Sequence, residues 1–327
     1  MTVPAIVTVG DRRAAKAVHG ESKVYLEIDG RSLVARVVGV LQLVPEVSEV
    51  WLVGDAERLR KVFAQEALRK PLRFVEQFSN LYENCWQTYR RLLPGASPEG
   101  RDPEGADLDC RVLYLSGDLP FATPQEISAF IQSATALDAD YTLGLVTDEA
   151  LESFLPRAVG EPGLEVAYFN LHEARLRQNN LHLVRPGRLG NRHYIEEMYE
   201  HRHQLEWRNI LSLAWRLLRS KSGGMAILLY YLLMQLAGFA DRHGWDRLAL
   251  AIRRRVSLAR VEVAISSLLD TRFRFSVGEL GGCAVDIDTE QEYDAARQRF
   301  AEWSKDEAER AEALYGPPGG SDPEERG

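Results

Sequence analysis

The chain has 327 residues, 45% hydrophobic and 27% charged, the balance of a soluble globular protein with room for a large core. A formal net charge of −8 supplies no global basic field, which argues against nucleic acid as a partner. An anionic substrate must then be met by local cations or a metal. The three cysteines, Cys85, Cys110 and Cys283, stand far apart with no CxxC pair. That points away from a zinc site or disulfide framework and toward reduced thiols in a cytoplasmic protein.

The first apolar run, Ala5 to Val9, has no basic segment before it and reads as a strand rather than a leader. Lys23 to Ile28 is strand-like and ends at an Asp29-Gly30 turn. Ser32 to Leu43 has helical spacing with Ser32 as its N-cap. Val47 to Val53 is a strand stopped by Gly54-Asp55, followed by a helical stretch to about Leu68. Leu72 to Val75 reads as a strand and Asn80 to Leu93 as a helix. Ala96 to Leu108 is a Pro-, Gly- and acid-rich exposed loop. A strand over Arg111 to Leu115, a helix from Pro124 to Leu137 and a strand over Tyr141 to Val146 follow. This rhythm predicts a three-layer, Rossmann-like α/β fold with a mostly parallel sheet, and ligands beyond the carboxyl ends of its strands.

The texture then changes. Glu165 to Leu171 and Asn180 to Val184 read as strands, and Arg192 to Leu269 is helical almost throughout. Strand character returns at Arg272 to Ser276 and at Cys283 to Asp286, and a last helix covers Glu290 to Leu314. The pattern divides the chain into an α/β domain (1–191 and 272–314), an all-α insertion before the last strands (192–271) and a disordered tail (315–327). Within the insertion, Met225 to Ala240 is apolar except for Gln235. It is shorter than the roughly 20 residues of a spanning helix. It is expected to be buried on all sides, with membrane-surface contact the alternative.

Three clusters carry chemistry. The loop after the first strand holds Gly10, Arg12, Arg13 and Lys16, with Lys23 beyond it. Backbone N–H groups and cations there suit phosphates. Asp118 stands at a strand end in Ser116-Gly117-Asp118-Leu119-Pro120. Asp286 and Asp288 precede the last helix, whose start is marked by Thr289 and Glu292. Two or three carboxylates facing a cationic loop make a hard oxygen site of the kind Mg2+ takes beside substrate phosphates.

On these residues the chain resembles the GT-A-type nucleotidyltransferases, near the MobA-like NTP transferases and the sugar-phosphate nucleotidylyltransferases. Ala5 to Gly10 and Ser22-Lys23 to Gly30-Arg31-Ser32-Leu33 match the start of that family. Leu115-Ser-Gly-Asp118-Leu-Pro matches its metal-binding strand end, and Asp286-Ile-Asp288-Thr289 its second ligand before a C-terminal helix. The loop after the first strand has one glycine where the family has several. The resemblance implies Mg2+ on Asp118 and Asp288, with Asp286 beside them, and Lys23 and the loop cations on the triphosphate. It further implies transfer of a nucleoside monophosphate to a phosphorylated acceptor, a sugar or alditol phosphate in the first instance.

Base and acceptor contacts are expected from Asn80 and Asn180, and acceptor-phosphate contacts from Arg185 with Arg188 and Arg192. His193, Glu197 and His201 share a helix face at metal-ligand spacing, although a solvated polar face is the plainer reading. Two rivals to catalysis stand beside it. One is an inactive nucleotide- or sugar-nucleotide-binding sensor. The other is a protein that docks a partner or a membrane through its helical block. The sequence leaves the oligomeric state open.

Overall fold

The computed structural model describes residues 1–10, 17–158, 160–164, 166–192, 194–195 and 224–318. Arg12, Arg13, Lys16, His193, Glu197 and His201 lie outside the described residues.

The strands are β1 (Val3–Thr8), β2 (Glu27–Ile28), β3 (Arg31–Ser32), β4 (Val47–Gly54), β5 (Leu72–Glu76), β6 (Val112–Ser116), β7 (Tyr141–Thr147), β8 (Phe169–Asn170), β9 (Arg175–Val184) and β10 (Phe273–Gly278). The helices are α1 (Leu33–Leu41), α2 (Ala56–Val62), α3 (Leu81–Leu92), α4 (Pro124–Ala136), α5 (Gly224–Arg242), α6 (Asp246–Arg253), α7 (Leu258–Leu269) and α8 (Glu290–Tyr315). The main sheet runs β5-β4-β1-β6-β9-β7-β10, with β8 added alongside β9. Its pairs are parallel except those of β9, which lies antiparallel between β6 and β7 and also pairs antiparallel with β8.

The near-continuous apolar runs of β1, β4 and β6 follow from burial on both faces. Alternate residues point to opposite layers. Ala5, Val7, Leu52, Leu113, Leu115 and Leu183 pack with α1 and α4. Ile6, Val53, Val112, Tyr114 and Val184 pack with Tyr89 and Leu93 around α3. The three-layer α/β expectation therefore holds. Side-chain caps start the helices: Ser32 on α1, Asp55 on α2, Asn80 on α3, Thr123 on α4 and Thr289 on α8. Each satisfies a backbone N–H that has no partner in the first turn.

Several local expectations change. Lys23 to Tyr25 is a 3-10 turn rather than a strand, followed by the two residues of β2. Gly282 to Ala284 is also a 3-10 turn, where a strand was expected over Cys283 to Asp286. The strand expected over Glu165 to Leu171 shrinks to Phe169–Asn170. Described helices α5 to α7 precede β10, which completes the sheet beside β7.

The apolar run Met225 to Ala240 forms α5 but is not buried on all sides. Leu233 and Met234 pack toward Leu145, Leu171 and Leu176. Leu229, Leu232 and Leu236 on the opposite side are 52%, 49% and 54% exposed. One helix packed on one edge of a sheet has only one face to bury. Among the described residues no helix is long and apolar enough to cross a membrane.

Candidate functional site

The strand β6 ends in the turn that carries Asp118. Gly117 N–H donates to Thr8 O at 3.1 Å, which ties this turn to the end of β1. Asp118 is fully buried, and Ser116 Oγ donates to its Oδ1. Its other oxygen, Oδ2, accepts no well-aligned hydrogen bond. The Lys23 ammonium lies 2.5 Å from that oxygen as an ion pair.

Lys23 also reaches Asp288 Oδ1 at 2.6 Å. One ammonium thus bridges two carboxylates that lie far apart in the chain. Burial draws the lysine's proton affinity down, but Asp118 and Asp288 outweigh it and hold Lys23 above the ordinary lysine range. The register of the two segments has a visible cause. Tyr293, in the first turns of α8, donates its hydroxyl to Glu27 O at 2.6 Å. That fastens the segment carrying Lys23 to the helix that follows Asp288.

Asp286 stands beside the pair. Burial first, then the charges of Asp118 and Asp288, push its carboxyl up to about 6 against the pull of Arg177 and Lys23. Arg177, on β9, reaches Asp286 Oδ1 at 3.1 Å and Ala284 O at 2.9 Å. Three carboxylates therefore face two cations, Lys23 and Arg177, and one negative charge is left over.

The turn leading to Asp286 is held from both sides. Glu126 on α4 accepts from Cys283 N–H at 2.9 Å. Glu307 on α8 accepts from Gly281 and Gly282 N–H at 2.9 and 2.8 Å. Both glutamates are buried. Burial, with Glu307's charge added, raises Glu126 well above the ordinary carboxyl value, and burial raises Glu307. Gly282 is required by packing: a Cβ there would lie 2.1 Å from Phe121 O.

Beside the carboxylates lies a cavity of about 200 Å3. Thr8, Lys23, Ser116, Asn180, Asp286 and Asp288 line it together with aromatic and aliphatic side chains. Asp118 lies behind Lys23 and reaches the cavity through that contact. Asn180 enters because β9 is irregular opposite Leu143 to Leu145. Its φ of +56° is in the left-handed region that asparagine tolerates. Its Nδ2 donates to Cys283 O at 3.1 Å.

Other expected contacts lie elsewhere. Asn80 does not line the cavity; its side chain accepts from Glu83 N–H at 2.8 Å as the cap of α3. Gly10 is exposed and accepts from Ser22 Oγ at 3.2 Å. Arg185 departs most from expectation. Its guanidinium pairs with Asp140 at 3.0 Å, and it is absent from the cavity wall. Arg188 pairs with Asp109 at 2.8 Å. Arg192 does line the cavity, with its guanidinium 4.0 Å from the Trp86 ring centre.

Sequence reasoning missed Arg177, Glu126, Glu307 and Trp86. Glu126 stands three residues after the cap Thr123, where a local reading expects only a capping-box glutamate, and its side chain accepts from Cys283 N–H instead. Only the tertiary fold turns it toward Cys283. Arg177 carried one signal: a charge inside a long strand pattern.

Does the site suit Mg2+? Among the described residues no three His, Cys, Asp or Glu side chains form a ready metal cage. Mg2+ needs only one or two carboxylates when substrate phosphates and waters complete its shell. The two carboxylates gathered around one ammonium and the surplus negative charge fit a cation here.

Comparison with known proteins supports the fold. No family model matches the chain, and no curated protein does either. A hypothetical transferase from Thermus thermophilus is similar with a TM-score of 0.54 and 23% identity, over 89% of this chain and 99% of that one. The 4-diphosphocytidyl-2C-methyl-D-erythritol synthase of Anaerococcus prevotii gives 0.44 and 15%, over 92% and 98%. A CMP:2-keto-3-deoxy-manno-octonic acid synthetase complexed with CTP gives 0.46 and 12%, over 92% and 99%. The first of these shares the α/β architecture described above.

Proposed function

We propose that this protein is a nucleotidyltransferase that moves a nucleoside monophosphate from an NTP to a phosphorylated acceptor. The observation that carries the reading is Lys23 bridging Asp118 and Asp288 at the carboxyl ends of β1 and β6, on the edge of a ligand-sized cavity. Asp118 and Asp288, with Asp286 beside them, would hold Mg2+. When bound, that ion supplies neutralisation of the triphosphate charge.

The remaining work belongs to the chain. Lys23 holds triphosphate oxygens, and Gly10, Arg12, Arg13 and Lys16 of the preceding loop are the further candidates for that contact. An acceptor phosphate oxygen attacks the α-phosphorus in line, the bond to the β-phosphate breaks and pyrophosphate leaves. No protein nucleophile is needed. The cysteine in the cavity wall, Cys85, is pushed up to about 12 by burial and stays a thiol at neutral pH.

The test is pyrophosphate release with each of four NTPs, Mg2+ and a panel of phosphate acceptors that includes sugar and alditol phosphates. Asp118→Ala is expected to lower turnover by at least about 10²-fold with the thermal melt still cooperative. Near-wild-type turnover in that variant refutes the assignment. A nucleotide-binding sensor is the second reading, favoured by the single glycine of the Val9-Gly10 loop. It predicts NTP binding without pyrophosphate release.

A further inference from the structure

The acceptor side of the cleft has a chemistry of its own. The cavity beside the carboxylates lies over β6, β9 and β7, on the far side of β1 from β4 and β5. The candidate triphosphate loop leaves β1. A nucleotide held there by its phosphates leaves this cavity to the other substrate.

The walls are mostly apolar. Leu81, Tyr82 and Trp86 come from α3, Val184 from the end of β9, and Leu189 and Ile195 from the segment after it. Several polar groups in the same wall already have hydrogen-bond partners. His182 meets Tyr141 Oη through Nδ1 at 2.8 Å and Gln178 Nε2 through Nε2 at 3.2 Å. Burial lowers His182 to about 4, so it adds no cation at neutral pH. The Asn180 amide donates to Cys283 O, Ser116 to Asp118, and Thr8 to Leu115 O at 3.4 Å. The Arg192 guanidinium stacks on Trp86.

Each hydroxyl of a polyol brings a donor and an acceptor. Moving it from water into this wall without new partners is unfavourable. An apolar or aromatic body gains by the same move. Apolar cavities of about 150 Å3 admit benzene, so about 200 Å3 takes one ring or a short branched chain.

We propose that the acceptor is a phosphate monoester with an apolar or aromatic body, seated against Trp86, Tyr82 and Leu189, rather than a polyhydroxylated sugar phosphate. The assignment rests on the nucleotidyltransferase reading for the word acceptor, and on the wall chemistry for the rest. The phosphate end faces Asp286 and Asp288, where the cation of the proposed site would be held, and Lys23 stays with the triphosphate. Trp86 determines specificity and touches no reacting atom.

Calorimetric titration tests it on the full chain with Mg2+, with and without a non-hydrolysable NTP analogue. The probes are phenyl phosphate, 3-methylbutyl phosphate, glycerol 3-phosphate and glucose 1-phosphate. The two apolar esters are expected to bind at least tenfold more tightly than the two polyol esters. Trp86→Ala should weaken the apolar esters about tenfold and the polyol esters less than twofold, while Trp86→Phe restores the preference. The wild-type ratio stands even if Trp86→Ala folds poorly. Equal or tighter binding of the polyol esters overturns the proposal. So does binding of none of the four, or displacement of the apolar esters by the NTP analogue. Apolar preference without pyrophosphate release upholds the cleft chemistry and sinks the transferase reading instead.

Discussion

Replacing Asp140 with Asn removes the hub of an ion cluster that joins three strands. Asp140 just precedes β7, and its side chain is buried. It takes Arg185 at 3.0 Å from the end of β9 and Arg272 at 2.9 Å from the start of β10. Burial raises its carboxyl, but the hydrogen bonds from Arg272 and Arg185 outweigh this and hold it down at about 2, against an ordinary 3.8. At about 1.4 kcal/mol per pH unit, this shift contributes roughly 2.5 kcal/mol of stability at neutral pH. Arg272 is half exposed, and solvent screening brings the expected loss nearer to about 1.5–2.5 kcal/mol. A depressed carboxyl stabilises the fold above its unfolded pKa and loses that contribution as pH falls toward its folded value. The window is therefore from about pH 4 down to about pH 2, with about half left at pH 3. Urea denaturation of wild type and Asp140→Asn at pH 7, 5 and 3 measures it. The difference should be equal at pH 7 and 5 and about half as large at pH 3. A difference that does not change between pH 5 and 3, or an Asn variant as stable as wild type, refutes the electrostatic account. The same cluster predicts that Arg185→Ala lowers stability while leaving acceptor affinity within about twofold.

Further predictions concern the turn before Asp286 and the cavity wall. Glu307→Ala strips the buried N–H groups of Gly281 and Gly282 of their acceptor. It should cost about 2–4 kcal/mol in chemical denaturation, with Glu307→Gln recovering most of the loss through its amide oxygen; full stability in the Ala variant would show that water replaces the carboxylate. His182, lowered to about 4 by burial, should stay neutral from pH 8 to pH 5 in an NMR titration of its ring protons, and a midpoint near the ordinary 6.5 would remove it from the buried wall. Asn80→Ala should cost about 1 kcal/mol as a lost helix cap, with NTP affinity unchanged; a large loss of NTP affinity at intact stability would return Asn80 to the base site.

What was legible in the chain was local. Val3 to Thr8, Val47 to Gly54 and Val112 to Ser116 are apolar because both faces are covered, and that reads as strands without any tertiary information. The caps Ser32, Asn80 and Thr289 stand directly before the helices they start, so those boundaries were nearly right. Asp118, which alone reads as a cap or turn residue, was singled out because it stands with Asp286, Asp288 and Lys23 in a pattern that resembles a metal-binding strand end. The partner choices were not legible. Nothing near β9 in sequence says that it inserts antiparallel between β6 and β7, because strand pairing is chosen by the whole sheet. The same holds for Arg185, whose charge looks available in the chain and is committed to Asp140 in the fold. It holds for α5, whose apolar residues say that it packs but not how much of its surface the neighbours cover.

Residue types and spacing thus determined by themselves the α/β architecture and the three carboxylates worth testing, since periodicity and strand ends are properties of short segments. Tertiary structure alone decided that Lys23 meets Asp118 and also Asp288, the latter 265 residues further along the chain. It also decided that the cavity beside them is walled by Trp86 and its apolar neighbours. A charge or a ring acquires a role only from what packs against it, and that neighbour is supplied by a distant part of the chain.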